Sequence, residues 1–380
     1  MKRFHKYILG ASLLSIALVS TSCEDETEPT HFATQDQASA SSAATRALVY
    51  AMPAYFNHID ESLIDEKSWH GAFGYGAMMI IRDLQTGDRS IGTKYNGHFK
   101  NYACDQYMGK RYIYASYPWS YYYGFILTTN KVIAAIDLNN CTDDQKGYYG
   151  IASAFRAFCY LDLARTYEFL DNKKVKSVNE NGKDVAGLTV PIVTDAISEN
   201  DARNNPRATR ADMAKFIEND LNKAEEYIKY STEDTNILPD LACVYGLKAR
   251  LYMWLEDYTN AAKYAKLAFK TTSSKPMTES DCLDAQKGFN DLSKWMWGAK
   301  QTSEDDAVKT GIVNWTSWAC NETTFGYAGV GAYNLIDAKL YSQIDDKDFR
   351  KKEFIGPKGP SKDQKILTKL QQAYASIKFR

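Results

Sequence analysis

The stretch that decides the fold is DLACVYGLKARLYMWLEDYTNAAKYAKLAFK, residues 240–270. Within it Tyr245, Ala249, Tyr252, Ala261, Ala265 and Ala268 fall at the spacings of a repeat of ~34 residues built from two antiparallel helices. Small side chains at Ala249, Ala261 and Ala268 let paired helices approach closely. Tyr252 fills the space between them, and Glu256-Asp257-Tyr258 makes the turn. A second, split unit supports the first. Ala157 and Tyr160 repeat the spacing of Ala249 and Tyr252, and Asp220-Leu221-x-x-Ala224 supplies the partner helix. Residues 171–208 between its halves, with Gly182, Gly187, Pro191 and Pro206, form a long excursion. A lone repeat cannot bury both faces, so two units imply a stack.

Outward from this pair the helical period continues. Trp119, Tyr123, Ile126, Asn130 and Ile133 recur every three or four residues, with Pro118 placed to open the first turn. Ile151–Tyr167 is apolar nearly all round, interrupted by Ser153, Arg156, Asp162, Arg165 and Thr166, as in a helix held between layers. Thr209-x-x-Asp212 is a variant capping box, followed by the stripe Met213, Ile217, Leu221, Ala224 and Ile228. After about residue 275 the period fades. Residues 288–333 mix Trp, Gly, Asn and Thr, Leu335–Gln343 returns to helix, and Gly356-Pro357-Lys358-Gly359-Pro360 is loop. The expected fold is all-α, a tetratricopeptide-like helical superhelix over 46–274, with a loop-rich irregular region over 275–380.

The chain of 380 residues carries 46 basic and 47 acidic side chains. That balance excludes the basic excess of a nucleic-acid-binding domain. Lys2, Arg3 and Lys6 precede an apolar run from Tyr7 to Val19, which is shorter than the ~20 residues of a membrane span and reads as an export signal over 1–22. Cys23 follows small residues as in a lipobox, with Ser20 where Leu is usual, and is the candidate lipidation site. An ordinary cleavage site followed by an unrelated cysteine is the alternative. Without residues 1–22, 43 basic side chains face 47 acidic ones, so nothing basic holds a membrane. Glu24-Asp25-Glu26 resembles the surface-export tag of some Gram-negative lipoproteins, and residues 23–45 read as a flexible tether. Cys104, Cys141, Cys159, Cys243, Cys282 and Cys320 include no C-x-x-C and no His in zinc spacing. Cys159 and Cys243 read as small core residues, and a single bridge elsewhere stays open.

Catalytic and cofactor motifs are missing from the sequence. It holds no H-E-x-x-H, no G-x-S-x-G and no phosphate-cradling G-x-x-x-x-G-K-[ST]. Asp143-Asp144 and Asp345-Asp346 read as solvated surface acids. No metal and no cofactor is expected, and the protein reads as a non-enzyme. Aromatic residues are abundant instead. Between Tyr95 and Tyr123, 11 of 29 residues are aromatic, against about four from the chain average of 13%. They alternate with Asn96, His98, Lys100 and Asn101, a combination that offers ring faces to a sugar and donors and acceptors to its hydroxyls. Trp315, Trp318, Phe325, Tyr327 and Tyr333 form a second such cluster. Packing between helices is the competing reading for each ring, and the preferred one for Trp119 and Tyr123.

Several motifs in order resemble the SusD/RagB family of outer-membrane nutrient-binding lipoproteins. They are Met78-Met79-Ile80-Ile81-Arg82-Asp83-x-x-Thr86-Gly87-Asp88, Trp119-x-x-x-Tyr123-x-x-Ile126-x-x-x-Asn130 and Ala154-x-Arg156-Ala157-x-x-Tyr160-x-x-Leu163-x-x-x-Tyr167. Thr189-Val190-Pro191-Ile192 and Leu340-Tyr341-x-x-Ile344-x-x-x-Asp348-x-Arg350 follow. The family continues past Tyr374-x-x-x-Lys378-Phe379 into further helices, so a chain ending at Arg380 is expected to be incomplete. The resemblance implies a non-catalytic protein that caps a TonB-dependent, SusC-like transporter at the cell surface and captures an oligosaccharide. Binding of peptides, as in some members, is the first alternative, and a scaffold or adhesin is the second. By composition and place, the candidate ligand contacts are Tyr95, Asn96, Phe99, Asn101, Trp315, Trp318 and Tyr327.

Overall fold

The structure, a computed structural model, describes residues 41–59, 72–91, 112–309, 321, 327–331 and 333–379. Among these, seven helices of three turns or more form the body. They are α1 Ser42–Ala54, α2 Tyr75–Thr86, α3 Ile113–Ala134, α4 Asp143–Tyr167, α5 Arg210–Tyr227, α6 Leu241–Trp254 and α7 Tyr258–Thr271. The protein is predominantly helical, and α4 is its axis. Helices α1, α3, α5 and α6 all pack on α4, while α6 and α7 pack on each other as the helix pair that residues 240–270 predict.

Helix α4 starts at a full capping box. The Thr142 hydroxyl accepts from the Gln145 N–H at 3.2 Å, and the Gln145 side chain accepts from the Thr142 N–H at 3.0 Å. Asp143 and Asp144 lie in its first turn, where carboxylates oppose the positive end of the helix. From Gly147 to Ala164 every residue is buried, in keeping with the all-round apolar sequence. Gly150 permits a close crossing. A Cβ there would lie 2.5 Å from the backbone nitrogen of Ile228, at the short 3-10 turn that follows α5.

Helix α3 begins at Ile113, earlier than the position of Pro118 suggests. Pro118 sits inside the helix and forgoes the hydrogen bond its missing N–H would give the carbonyl four residues back. Trp119 is correspondingly a surface ring, tilted against Tyr123 at 4.9 Å and edge-on to Tyr167 at 5.2 Å. Tyr117, Tyr121, Tyr122 and Phe125 are the buried aromatic face of α3. In the α6–α7 pair Tyr252 stacks on Tyr264 at 5.4 Å and gives its hydroxyl to Glu218 of α5 at 2.6 Å.

The excursion returns to the body through carbonyls. Tyr123 and Asn130 of α3 donate to the carbonyls of Pro191 and Val193, and Tyr160 of α4 also donates to Val193. Beyond Thr271 the helices shorten to a turn or two, such as Glu279–Cys282 and Gln364–Leu367. The helix anticipated at Leu335–Gln343 is half strand. Asn334–Ile336 (β2) pairs antiparallel with Arg89–Ile91 (β1), Arg89 opposite Ile336, and only Ala338–Gln343 is helical. A bridge from Leu335 to Ala375 and another from Phe354 to Ser376 widen this ribbon. A second small core lies beneath it, made of Ile355, Leu370, Ala375 and Ile377. Cys141, Cys159 and Cys243 are free thiols, and Cys159, Cys243 and Cys282 are buried. The signal, tether and Cys23 readings fall outside the described residues.

Candidate functional site

Two polar positions on α4 interrupt its apolar surface from within, and both are ionic centres. Arg156 directs Nε and Nη2 to the two oxygens of Asp220 on α5, at 2.7 and 2.9 Å. Its Nη1 reaches Asn130 at 2.9 Å and Asp195 at 3.1 Å. This centre is closed, with the Arg156 side chain 4% exposed and that of Asp220 0%.

Asp162, two turns further on, is buried as deeply but shared. Its Oδ2 accepts from Arg82 at 3.1 Å and from the Tyr122 hydroxyl at 2.8 Å, and its Oδ1 accepts from Arg250 at 2.8 Å. Burial pushes this carboxyl up, but the two guanidinium groups and the Tyr122 hydrogen bond outweigh it and hold the carboxyl below its ordinary value. Both arginine side chains stay partly open, Arg82 at 38% and Arg250 at 37% exposure.

Arg250 opens into a cavity of about 650 Å³, a size typical of small-ligand sites. One wall comes from the helical body: Phe56, Phe73, Tyr75, Met79 and Phe158. Gly74 sets this wall. Its φ of +80° turns the chain into α2, and a Cβ there would meet the Phe56 carbonyl oxygen at 2.1 Å. Tyr75 thereby lands 5.6 Å from Phe56 and 5.2 Å from Phe158, ring to ring. The opposite wall comes from residues 289–301 with Phe379. Trp297 anchors that segment, lying edge-on to Phe56, Phe155 and Phe158 at 5.7, 5.3 and 5.6 Å. Its indole N–H donates to the Ile237 carbonyl at 3.2 Å. Asn236 donates to the carbonyls of Leu292 and Trp295, and Asn57 donates to that of Lys300 at 2.8 Å. Trp295 packs on Phe289 at 5.9 Å, and Phe289 in turn packs on Phe379 at 5.9 Å.

Among the described residues the polar lining is sparse: Asn57, Asn290, Gln301, Arg250 and Lys300, with no Asp or Glu. Flat rings opposed across a cleft, with amide and cationic donors between them, suit a flat ligand rich in oxygen atoms. Among the described residues no group of three or more His, Cys, Asp or Glu side chains is placed to hold a metal ion.

Tyr95, Asn96, Phe99, Asn101, Trp315 and Trp318 lie outside the described residues, and Tyr327 opens the 3-10 turn Tyr327–Val330. The cavity's own rings were passed over because they are scattered along the chain, from Phe56 to Phe379. The one local signal was Trp295-Met296-Trp297-Gly298, two indoles bracketing a residue in an irregular stretch.

Residues 79–253 match the sequence model of a SusD-like family described as "Starch-binding associating with outer membrane". Among solved structures, the fold is similar to that of a SusD-like carbohydrate binding protein from Bacteroides vulgatus. The TM-score is 0.66 at 21% identity, covering 89% of this chain and 65% of that one. It is also similar to a SusD superfamily protein from Bacteroides thetaiotaomicron, with a TM-score of 0.59 at 16% identity over 88% of this chain and 69% of that one. A surface glycan-binding protein A from Bacteroides fluxus gives 0.58 at 16% identity, over 84% and 65%. The chain thus spans slightly less than two thirds of the length of the first and third of these proteins. A comparison with curated proteins finds no match.

Proposed function

We propose that this chain is a SusD-like protein, on the family model that matches residues 79–253, and that it captures oligosaccharides at the cell surface and delivers them to a TonB-dependent outer-membrane transporter without chemistry of its own. The observation that carries glycan capture is the aromatic cavity. Tyr75, Phe289, Trp295 and Phe379 offer apolar ring faces to the C–H side of a pyranose, while Asn57, Asn290 and Gln301 can serve its hydroxyls. Each aromatic contact contributes only ~0.5–1.5 kcal/mol beyond burial. Micromolar affinity, ~−8 kcal/mol, therefore requires several rings acting together.

Trp295 is the ring to test, because its packing partners are Phe289 and the cavity itself rather than the helical core. Glycan-array screening followed by calorimetry on Trp295→Ala should show loss of a glycan that the parent protein binds, with the helical circular dichroism unchanged. Full retention of binding would remove the cavity from the reading. The sequence-based platform is kept as a second contact zone in this proposal. If it takes part, the double substitution Trp315→Ala with Trp318→Ala weakens the same glycan.

The lipid anchor at Cys23 and the transporter are parts of the same proposal. Among the described residues no helix is long and apolar enough to cross a membrane, and acylation of Cys23 would supply the attachment. Cys23→Ser should release the protein from membranes on fractionation, and co-purification in mild detergent should recover a TonB-dependent barrel. A protein that stays membrane-bound after the substitution is not held by that lipid.

A further inference from the structure

The charge around the cavity is one-sided. Among the described residues Asp162 is the one carboxylate bonded to Arg82 and Arg250, so one negative charge there answers two guanidinium groups. Arg250 spends one N–H on Asp162, and its guanidinium lies 5.9 Å from the Phe158 ring centroid, on the cavity wall. Among the described residues its other donors have no acceptor. Lys300 holds its backbone carbonyl against Asn57, and its ammonium group makes no ion pair among the described residues. Lys378 adds a third cation at the rim, 4.1 Å from the Phe289 ring centroid. Asp83, an exposed carboxylate on α2, lies close enough to Lys378 to act on it and so answers this outer cation. Among the described residues no acidic side chain lines the cavity itself.

From this arrangement we infer that the cavity selects glycans carrying an oxyanion on the sugar ring, a uronate carboxylate or a sulfate ester, with Arg250 and Lys300 as its specificity-determining residues. The inference rests on the glycan-binding reading above and narrows it. A neutral sugar would leave Lys300 and the remaining N–H groups of Arg250 facing the ligand without an anionic acceptor as water is displaced, which is costly in a half-apolar site. An acidic sugar replaces that water with charge-assisted hydrogen bonds, and the guanidinium fork of Arg250 matches the planar carboxylate. The aromatic walls then hold the ring while the cations read its substituent.

The test pairs each acidic probe with its neutral form, on the full chain. Oligogalacturonate is compared with its fully methyl-esterified form, and chondroitin sulfate oligosaccharides with their desulfated, carboxyl-reduced forms. The expected result is that one acidic probe binds, and its neutral form binds about tenfold or more weakly. Chondroitin oligosaccharides desulfated alone, or carboxyl-reduced alone, then show which oxyanion is read. Lys300→Gln and Arg250→Gln should each erase the preference for the charged probe, and raised salt should weaken the acidic probe alone. Lys300 is at the surface, so its variant remains informative if Arg250→Gln perturbs the fold. Equal binding of charged and neutral forms, lost on Trp295→Ala, overturns the charge inference and leaves glycan capture standing. If no probe of either kind binds and a broad neutral glycan array is also blank, both readings fall.

Discussion

Arg156 and Asp162 sit six residues apart on α4, and the contrast between their surroundings separates what holds the protein together from what it can offer a ligand. Around Arg156 every charge is answered inside the fold. Asp220 takes two of its N–H groups, and Asn130 and Asp195 share another, so the centre ties α3, α5 and the excursion to α4. Around Asp162 the carboxylate is equally buried, but its two arginine partners keep more than a third of their surface open. A closed ion centre can only be structural. A centre with surplus charge at a cavity wall still has bonds to give.

The comparison is broken most directly at the closed centre. Asp220→Ala leaves a buried guanidinium facing only Asn130 and Asp195, and should cost about 3–5 kcal/mol in urea unfolding. A loss below 1 kcal/mol would mean that Arg156 finds water, and that the two centres do not differ in kind.

Asp162→Asn should cost less, roughly 1–3 kcal/mol, because the open faces of Arg82 and Arg250 are already solvated. The same change removes a negative charge behind the cavity, so it should tighten an acidic glycan while weakening the fold. Its acid dependence sharpens the point. The Asp162 carboxyl is held below its ordinary value in the folded protein, so its contribution is fully present above the unfolded value of about 3.9. It is lost as pH falls through the lower folded value. Stability of the parent and of Asp162→Asn should therefore begin to converge below about pH 4 and meet only below the folded value, and a gap that does not narrow over that range would show that the asparagine fails for steric reasons.

Lys300→Gln should have the smallest effect on stability, within about 0.5 kcal/mol by the same unfolding assay. A surface cation that weakens the acidic probe without moving the unfolding midpoint belongs to the ligand side of the comparison. If stability falls as well, Lys300 is part of the packing that seats residues 292–300.

How much of this could be read beforehand follows from chain distance. The α6–α7 pair is local, so the spacing of Tyr245, Ala249, Tyr252 and Ala261 was enough. The all-round apolar run of α4 likewise announced a central helix. Arg156 and Asp162 looked alike as interruptions, because their partners arrive from Asp220, Arg82 and Arg250, none within a few turns in sequence. Pro118 misplaced the start of α3 because proline is favoured in a first helical turn, and here the packing of Tyr117, Tyr121 and Tyr122 outweighs one lost hydrogen bond. Asn334–Ile336 became strand because its partner at Arg89–Ile91 supplies hydrogen bonds that local propensity cannot foresee. The cavity was the least legible feature. No periodicity links Phe56, Tyr75, Arg250 and Trp295, and only the tertiary fold brings them to one place.

The way Trp297 and Lys300 are fastened has a thermodynamic consequence. Residues 292–300 meet the helical body through one indole and a few backbone carbonyls, at Asn57, Asn236 and Ile237. A ligand in the cavity would touch both banks at once and so act as a brace. Any brace that fits only the assembled walls shifts the opening equilibrium toward closure, by about 2.7 kcal/mol at a concentration a hundred times its dissociation constant. Protease cleavage between Leu292 and Lys300 would then slow as the site fills. That segment becomes a built-in gauge of occupancy, readable without labelling the ligand.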